Sequence, residues 1–229
     1  MKSGIILTVR LESKRLKNKA LLKLNNITVI EHIIKRLKKT KLNKNIILAT
    51  SNATSNKIFL SIARKHKIKF FFGSNNDVIN RIYEAAKYYK LDNVLCVTGD
   101  SPFIDTIYLD KLNKFHLKNK NDFSKISGLP IGCFCYAITQ DALKKINMMK
   151  KSKNTEIWYD YVYQNSFFKK KTLHVKEREK FFPKLRVTLD TKEDYKLIKI
   201  LYLVLYKKNK LINTEEIINF CKKNPELLK

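Results

Sequence analysis

The fold of this chain is decided by the stretch V-L-C-V-T-G-D-S-P-F-I-D at residues 94–105. Its first four residues form an apolar run that is too short for a helix and typical of a parallel strand buried on both faces. Gly99 and Pro102 then turn the chain out of the strand. In open α/β sheets ligands bind at the carboxyl ends of the strands, so Asp100 is well placed to hold a hard cation. The alternative is that Asp100 only caps a helix beginning near Asp105, and this stretch alone does not decide between the two.

Strands and helices are predicted to alternate through the first half of the chain. A capping box of Thr28 and Glu31 begins a helix with one apolar stripe, and Asp77 begins another helix. The other elements expected there are strands at residues 4–9, 45–50 and 68–72 and helices at residues 55–66 and 105–117. This β-α-β alternation at short spacing predicts an α/β fold with a parallel sheet and right-handed crossovers.

The pattern is less regular from residue 128 onward. A capping box of Asn213 and Glu216 begins the last predicted helix. The other expected elements are strands at residues 129–137, 173–176 and 185–189, helices at 141–149 and, rich in aromatics, 155–163, and a long helix after residue 191. The aromatic segment would cover a substrate, form a subunit interface or pack in the core. A chain of 229 residues is expected to form one domain, residues 1–229.

Composition limits the classes of partner. The net charge of +28 would suggest nucleic acid or a membrane surface, but only seven of the 48 basic residues are arginine and the lysines are spread over nearly every segment. That distribution is typical of coding bias in an AT-rich genome, and no RNA-recognition signature accompanies it. Nucleic acid is therefore not an expected partner.

Cysteine usage indicates a reduced compartment, and hydropathy indicates a protein outside the membrane. The four cysteines do not form two closely spaced pairs. Cys133 and Cys135 could bind a metal, but a role as buried small hydrophobic residues is favoured. The apolar run at residues 5–9 is too short for a signal peptide, and the run at residues 197–206 is far shorter than the roughly 20 residues that span a bilayer. We expect a soluble, cytoplasmic protein with no membrane partner.

A basic loop, R-L-E-S-K-R-L-K-N-K at residues 10–19, follows the first predicted strand. In an α/β fold this is where a polyphosphate would bind, held by backbone N–H groups and by Arg and Lys side chains. It is not a Walker loop, since G-x-x-x-x-G-K is absent. The alternative is a solvated run of charge.

The strand predicted at residues 185–189 ends in Asp190 and so repeats the arrangement seen at Asp100. Two aspartates at the ends of separate strands could share one cation. Neither their spacing nor the composition shows that they meet.

Taken together, these motifs resemble the CTP-dependent sugar cytidylyltransferases, a family that includes 3-deoxy-manno-octulosonate cytidylyltransferase, acylneuraminate cytidylyltransferase and the spore-coat polysaccharide biosynthesis protein F group. The resemblance runs through nearly the whole chain. The family patterns R-x-x-S-x-R-x-P-x-K, G-S-x-x-D-V-L-x-R, T-G-D-x-P-x-I-D, P-x-G and L-D-T-x-E-D match residues 10–19, 73–81, 98–105, 130–132 and 189–194. Lys17 stands where the family usually has proline, and Tyr136 where many spore-coat-type members carry glutamate.

The resemblance implies a three-layer Rossmann-like mixed, mostly parallel sheet, of the nucleotide-diphospho-sugar transferase type, that binds Mg-CTP at its carboxyl edge. It assigns the triphosphate to Arg10, Ser13, Arg15 and Lys19, the nucleotide further to Gly73, Ser74, Arg81 and Gly99, and Mg²⁺ to Asp100 and Asp190. Arg10, Lys19, Asp100 and Asp190 would be catalytic. Residues 128–178 would form an acceptor-binding and dimerisation region, with the acceptor contacted by Pro130, Gly132, Tyr136, Glu156 and Trp158.

The expected reaction is attack by a hydroxyl of an acidic sugar, keto-deoxy or nonulosonic, on the α-phosphorus of CTP, with pyrophosphate leaving, in surface polysaccharide synthesis by a homodimer. Positioning and charge neutralisation would carry such catalysis. One alternative is nucleotidyl transfer to a phosphate or phosphonate. A glycosyltransferase of related fold is another, although G-D-S-P replaces its usual D-x-D. A basic RNA-binding protein would leave Asp100 and Asp190 without a purpose.

Overall fold

A seven-stranded mixed sheet forms the centre of the structure, a computed structural model that describes residues 1–13, 15–155, 158–207 and 210–228. The strands are β1 (Ser3–Thr8), β2 (Lys23–Leu24), β3 (Ile27–Thr28), β4 (Ile46–Ser51), β5 (Lys69–Gly73), β6 (Asn93–Thr98), β7 (Phe123–Ser127), β8 (Tyr136–Thr139) and β9 (Lys170–His174). The sheet order is β5-β4-β1-β6-β8-β7-β9, and β2 pairs with β3 in a separate hairpin. Within the seven-stranded sheet, the antiparallel pairings of the described strands are those of β8 with β6 and β7, which confirms a mixed, mostly parallel sheet.

Helices cover both faces of this sheet. They are α1 (Val29–Leu37), α2 (Ile58–Lys65), α3 (Val78–Tyr88), α4 (Thr106–Asn119), α5 (Gln140–Met149), α6 (Asp160–Tyr163), α7 (Lys192–Leu205) and α8 (Thr214–Lys223). Strand side chains alternate between two cores: Ile5 and Leu7 pack on the side of α1, α2, α4, α7 and α8, whereas Ile6 packs on the side of α3, α5 and α6. The expected three layers are confirmed. Among the described helices, none combines the length and apolar character needed to cross a bilayer.

The order of the strands places a crevice between β1 and β6. From β1 the chain moves outward to β4 and β5, and then returns to the other side of β1 to form β6. From the carboxyl ends of β1 and β6 the chain therefore continues in opposite directions along the sheet, and such a point is the usual location of a ligand site in open α/β sheets.

Several elements after residue 128 differ from the predictions. The strand predicted at residues 129–137 is confined to β8, because Gly128 and Gly132 adopt positive φ angles of 110° and 99° that interrupt extended pairing. Residues 185–189 form no regular strand; their backbone bonds instead to two loops, through Val187 N–H to the Ile131 carbonyl and Leu189 N–H to the Asp100 carbonyl. The strand predicted at 173–176 begins earlier, as β9.

The predicted aromatic helix at residues 155–163 is also wrong in extent. Only α6 is helical in the described part of that segment, because the Thr155 side chain is buried against the start of α3 instead of lying on a helix. Residues 156 and 157 lie outside the described residues.

Both predicted capping boxes are present, at Thr28 with Glu31 and at Asn213 with Glu216. The four cysteines are free thiols and buried, as expected for small hydrophobic roles.

Candidate active site

The loops that follow β1 and β6 start side by side. Thr8 and Thr98, the last residues of these strands, are partners in the parallel ladder. The Gly99 N–H then donates to the Thr8 carbonyl at 2.8 Å, so the two loops remain in contact beyond the sheet. This register brings the basic loop and Asp100 to the same edge.

Asp100 does not cap a helix. The N-cap of α4 is Asp105, whose carboxylate accepts the Tyr108 N–H at 2.9 Å, so that alternative interpretation of Asp100 is wrong. The Asp100 carboxylate instead accepts hydrogen bonds from the Thr98 hydroxyl and from Lys19. Both of its oxygens are therefore held in a polar setting at the strand end.

Asp190 is brought beside Asp100 by the extended segment before it. The Leu189 N–H donates to the Asp100 carbonyl at 2.8 Å, and the Thr188 hydroxyl donates to the same oxygen at 3.1 Å. Asp190 is not the N-cap of α7, because Thr191 occupies that position. The two aspartates that the sequence could not place together are thus neighbours.

Lys19 lies between the two carboxylates. Its Nζ is 2.8 Å from Oδ2 of Asp100 and 2.9 Å from Oδ1 of Asp190. Burial by itself would lower the pKa of Lys19, but attraction to Asp100 and Asp190 outweighs it and raises this pKa. Burial would likewise raise the pKa of Asp190, but the contact with Lys19 outweighs it and lowers this pKa. Lys19 and Asp190 are therefore both charged at neutral pH.

Two arginines complete the surroundings of Asp190. Arg15, predicted from the basic loop, places Nη2 3.0 Å from Oδ1 of Asp190. Arg186, which no predicted motif includes, pairs with Oδ2 of Asp190 and, 3.3 Å away through Nε, with Asp194. The sequence carries a signal for these ion pairs, because Arg186 precedes Asp190 by four residues and Asp194 by eight. The signal becomes interpretable only when the conformation of residues 185–189, which form no regular strand, is known.

The opposite side of the cleft is formed by the segment from β5 to α3. Arg81 is 2% exposed, and burial lowers its pKa to about 10. Its Nη1 donates to the Ser74 carbonyl at 3.2 Å, whereas its buried Nε has no partner among the described residues. Gly73 packs directly on the Arg81 side chain. A buried guanidinium with an unfilled donor is well suited to a polar or anionic ligand.

The loop after β1, the start of α3, Asp100 and Asp190 line one cleft of about 580 Å³, whereas the predicted residues Gly73 and Ser74 lie outside its lining. Nine of the predicted site residues line this cleft: Arg10, Ser13, Arg15, Lys19, Arg81, Gly99, Asp100, Trp158 and Asp190. The basic loop is thus not only a solvated run of charge, since Arg15 and Lys19 are paired with aspartates. Glu12, the loop's one acidic residue, turns away to accept hydrogen bonds from Ser55 and Asn56.

The predicted acceptor residues are distributed differently. Trp158 lines the cleft, while Pro130, Gly132 and Tyr136 lie outside its lining and Glu156 lies outside the described residues. A Cβ on Gly132 would approach the Thr188 N to 2.7 Å, so this glycine allows the P-x-G segment to pack on the backbone that leads to Asp190. Tyr136 is stacked on Phe123 and meets Trp158 edge-on.

The donor set fits a magnesium ion shared with a substrate. Mg²⁺ is usually held by one or two carboxylates together with phosphate oxygens and water. Asp100 and Asp190 supply the two carboxylates, and the described residues contain no cluster of three or more His, Cys, Asp or Glu side chains that would make a complete protein site. A triphosphate would have to supply remaining ligands.

Comparison with known proteins agrees with this geometry. The profile of the cytidylyltransferase family matches residues 4–227. The chain is 36% identical to a functionally uncharacterised protein of Methanocaldococcus jannaschii, over 97% of this chain and 91% of the relative. It is 25% identical to the spore coat polysaccharide biosynthesis protein SpsF of Bacillus subtilis, over 96% and 94% of the two chains.

A solved cytidylyltransferase structure has the same fold as this chain. The cytidylyltransferase of Leptospira borgpetersenii superposes with a TM-score of 0.91 and 29% identity, covering all of this chain and 97% of the other. The family match spans nearly the whole chain. This chain therefore belongs to the cytidylyltransferase family and is a nucleotidyltransferase.

Proposed function

We propose that this enzyme transfers CMP from CTP to an acidic sugar of keto-deoxy or nonulosonic type and releases pyrophosphate. The observation that carries the proposal is the pair of carboxylates, Asp100 and Asp190, joined by one lysine at the mouth of a cleft that also holds Arg10, Arg15 and Arg81. Carboxylates can hold a cation, and the surrounding guanidinium groups can bind phosphate.

The chemistry would be an in-line displacement. The oxygen of the acceptor hydroxyl forms a bond to the α-phosphorus and loses its proton to water, while the bond from that phosphorus to the bridging oxygen of pyrophosphate breaks. Arg10, Arg15 and Lys19 would bind the triphosphate and neutralise the charge that develops on the leaving group. Mg²⁺, when bound by Asp100 and Asp190, would supply further charge neutralisation on the phosphate oxygens.

The nucleotide would lie on the Arg81 side of the cleft. Arg81 has an unfilled Nε donor there, and Gly73 and Ser74 fix its position through packing and the Ser74 carbonyl. Gly99, which lines the floor, leaves space for the nucleotide. Selection of CTP over other nucleoside triphosphates is supported by the match to the cytidylyltransferase family.

The acceptor would enter from the Trp158 side, within a region of about residues 128–178 that we also assign to dimerisation. Single-domain organisation over residues 1–229 and a role in surface polysaccharide synthesis are parts of the same proposal. The similarity to a spore coat polysaccharide biosynthesis protein supports the latter.

Pyrophosphate release tests the proposal. We would incubate the enzyme with Mg²⁺, each of the four nucleoside triphosphates and a panel containing acidic sugars, neutral sugars, sugar phosphates and phosphonates. We expect release only with CTP and an acidic sugar, and a CMP-sugar product by mass spectrometry. Release with phosphate or phosphonate acceptors alone, or equal rates with ATP, would replace the proposal by the corresponding alternative. Transfer of sugar from a nucleotide sugar would indicate a glycosyltransferase.

A further inference from the structure

Thr155 is buried at the start of α3 and is not among the residues that line the cleft. It is 1% exposed, and its hydroxyl accepts the Ile79 N–H at 3.0 Å and donates to Oδ1 of Asp77, also at 3.0 Å. The Thr155 N–H donates to the Asn76 carbonyl at 3.3 Å. One residue thus makes three hydrogen bonds to the segment that begins α3.

Asp77 is the second member of this cluster. Its carboxylate caps α3 by accepting the Asn80 N–H at 3.0 Å, and it is 5% exposed. Lys150 forms an ion pair with its other oxygen. The buried charge of Asp77 is therefore compensated by a helix terminus, a hydroxyl and an ammonium group, and loss of a partner is costly in such a setting.

Two neighbours of the cluster in the chain line the cleft. They are Arg81, on the first turn of α3, and Trp158, three residues after Thr155. We propose that Thr155 is a positioning residue, which fastens the segment carrying Trp158 to α3 and so fixes the spacing between the nucleotide and the acceptor. This role rests on the proposed function, because it presumes that both substrates share this cleft.

A second cluster in the same chain has the same composition and serves as a matched control. Asp105 caps α4, accepts the Thr214 hydroxyl at 2.7 Å and pairs with Lys180 at 3.4 Å. Thr214 is also 1% exposed. Thr214 and Lys180 do not line the cleft, so removing this hydroxyl disturbs a buried network without affecting Trp158.

The test uses Trp158, the single tryptophan of the chain, as a reporter. Trp158 is 5% exposed, so acrylamide should quench its fluorescence weakly in the native enzyme. In Thr155→Val, which removes the hydroxyl at nearly constant volume, we expect the quenching constant to rise about twofold or more because the segment opens locally. Thr155→Ser should restore the native value, and Thr214→Val should leave it unchanged.

The same variants test the link to the reaction. With CTP and the acceptor found in the pyrophosphate assay, kcat/KM for the acceptor should fall about tenfold in Thr155→Val and stay near native in Thr214→Val at matched thermal stability. Unchanged quenching in Thr155→Val, or an equal effect in both valine variants, would overturn the proposal. If Thr155→Val does not fold, the same measurements are made on Lys150→Gln, which removes the ion pair with Asp77, and on Lys180→Gln, which removes the ion pair with Asp105. Quenching needs no turnover, so an enzyme that fails the pyrophosphate assay still reports on Thr155.

Discussion

Lys19 links the two carboxylates of the cleft. Its ammonium group contacts Asp100 and Asp190 at once, so it holds two like charges together at the edge of the sheet. A metal ion entering between these carboxylates must displace it. The displaced ammonium would then be free to bind the triphosphate that accompanies the metal.

Lys19→Met should therefore have opposite effects on catalysis and on metal binding. Loss of a charge-assisted contact to phosphate costs about 1.5–3 kcal/mol, so kcat/KM should fall roughly tenfold or more. Binding of Mn²⁺ in the absence of nucleotide should become tighter, because the Lys19 ammonium group no longer competes for the two carboxylates. Electron paramagnetic resonance of the free Mn²⁺ ion measures this binding. Lys23→Met, an exposed lysine on β2, should change neither quantity. Weaker Mn²⁺ binding in Lys19→Met would show that the lysine organises the metal site and does not compete for it.

Arg10→Ala should lose a similar factor in kcat/KM while remaining folded. Arg10 lines the cleft and belongs to the same loop, and a guanidinium group binds phosphate through charge-assisted hydrogen bonds. Steady-state kinetics with varied CTP, together with a thermal melt, measure the effect. Native kinetics would remove Arg10 from the triphosphate site.

The residues of the site differ in how far the sequence could predict their positions. Arg15, Lys19, Asp100 and Arg81 follow strands or begin helices, so a regular α/β pattern places them at one edge. The partnership of Asp190 with Asp100 depends on an irregular extended segment, which no periodicity describes. Thr155 was placed only at the start of the predicted aromatic helix, and its burial against the start of α3 depends on tertiary contacts that no local pattern describes.

At the scale of elements, the first half of the sheet was predictable because apolar runs and caps repeat there at regular spacing. β7 was not predicted, since its sequence F-S-K-I-S contains no continuous apolar run. It is buried by contact with α4, where Nδ1 of His116 lies 2.9 Å from the Ser124 hydroxyl. Tertiary packing, not local propensity, makes this segment a strand.

The packing of α4 on β7 predicts a dependence of stability on pH. Burial lowers the pKa of His116 from 6.5 to about 4, although Asp122 opposes the shift. The unfolded chain therefore binds a proton before the folded chain does, and the free energy of unfolding should decrease as the pH falls from about 6.5 to 4, by up to about 1.4 kcal/mol per pH unit. Urea unfolding at pH 7, 6 and 5 measures this slope. His116→Gln should flatten it, and parallel slopes for the two proteins would contradict the assignment.

The whole molecule is predicted to be a homodimer formed through residues 128–178. Phe167 is 55% exposed in this region, and exposed aromatic side chains are favoured at interfaces. Light scattering at micromolar concentration should give twice the chain mass of 27.0 kDa. Phe167→Glu should shift the protein to monomer, whereas Leu203→Glu, at a 75% exposed position on α7, should not. A fully active native monomer would contradict this prediction.

The central claim, that Asp100 and Asp190 share one cation, also belongs to the whole molecule, because only the complete fold brings these two carboxylates together. The most direct test is a double-mutant cycle on pyrophosphate release from CTP. Asp100→Asn and Asp190→Asn should each abolish most turnover without unfolding the protein, and the double variant should be scarcely worse than either, because residues that act as one unit are not additive. Near-normal activity and Mg²⁺ dependence in Asp190→Asn, or independent losses that multiply in the double variant, would show that the two aspartates do not share a metal.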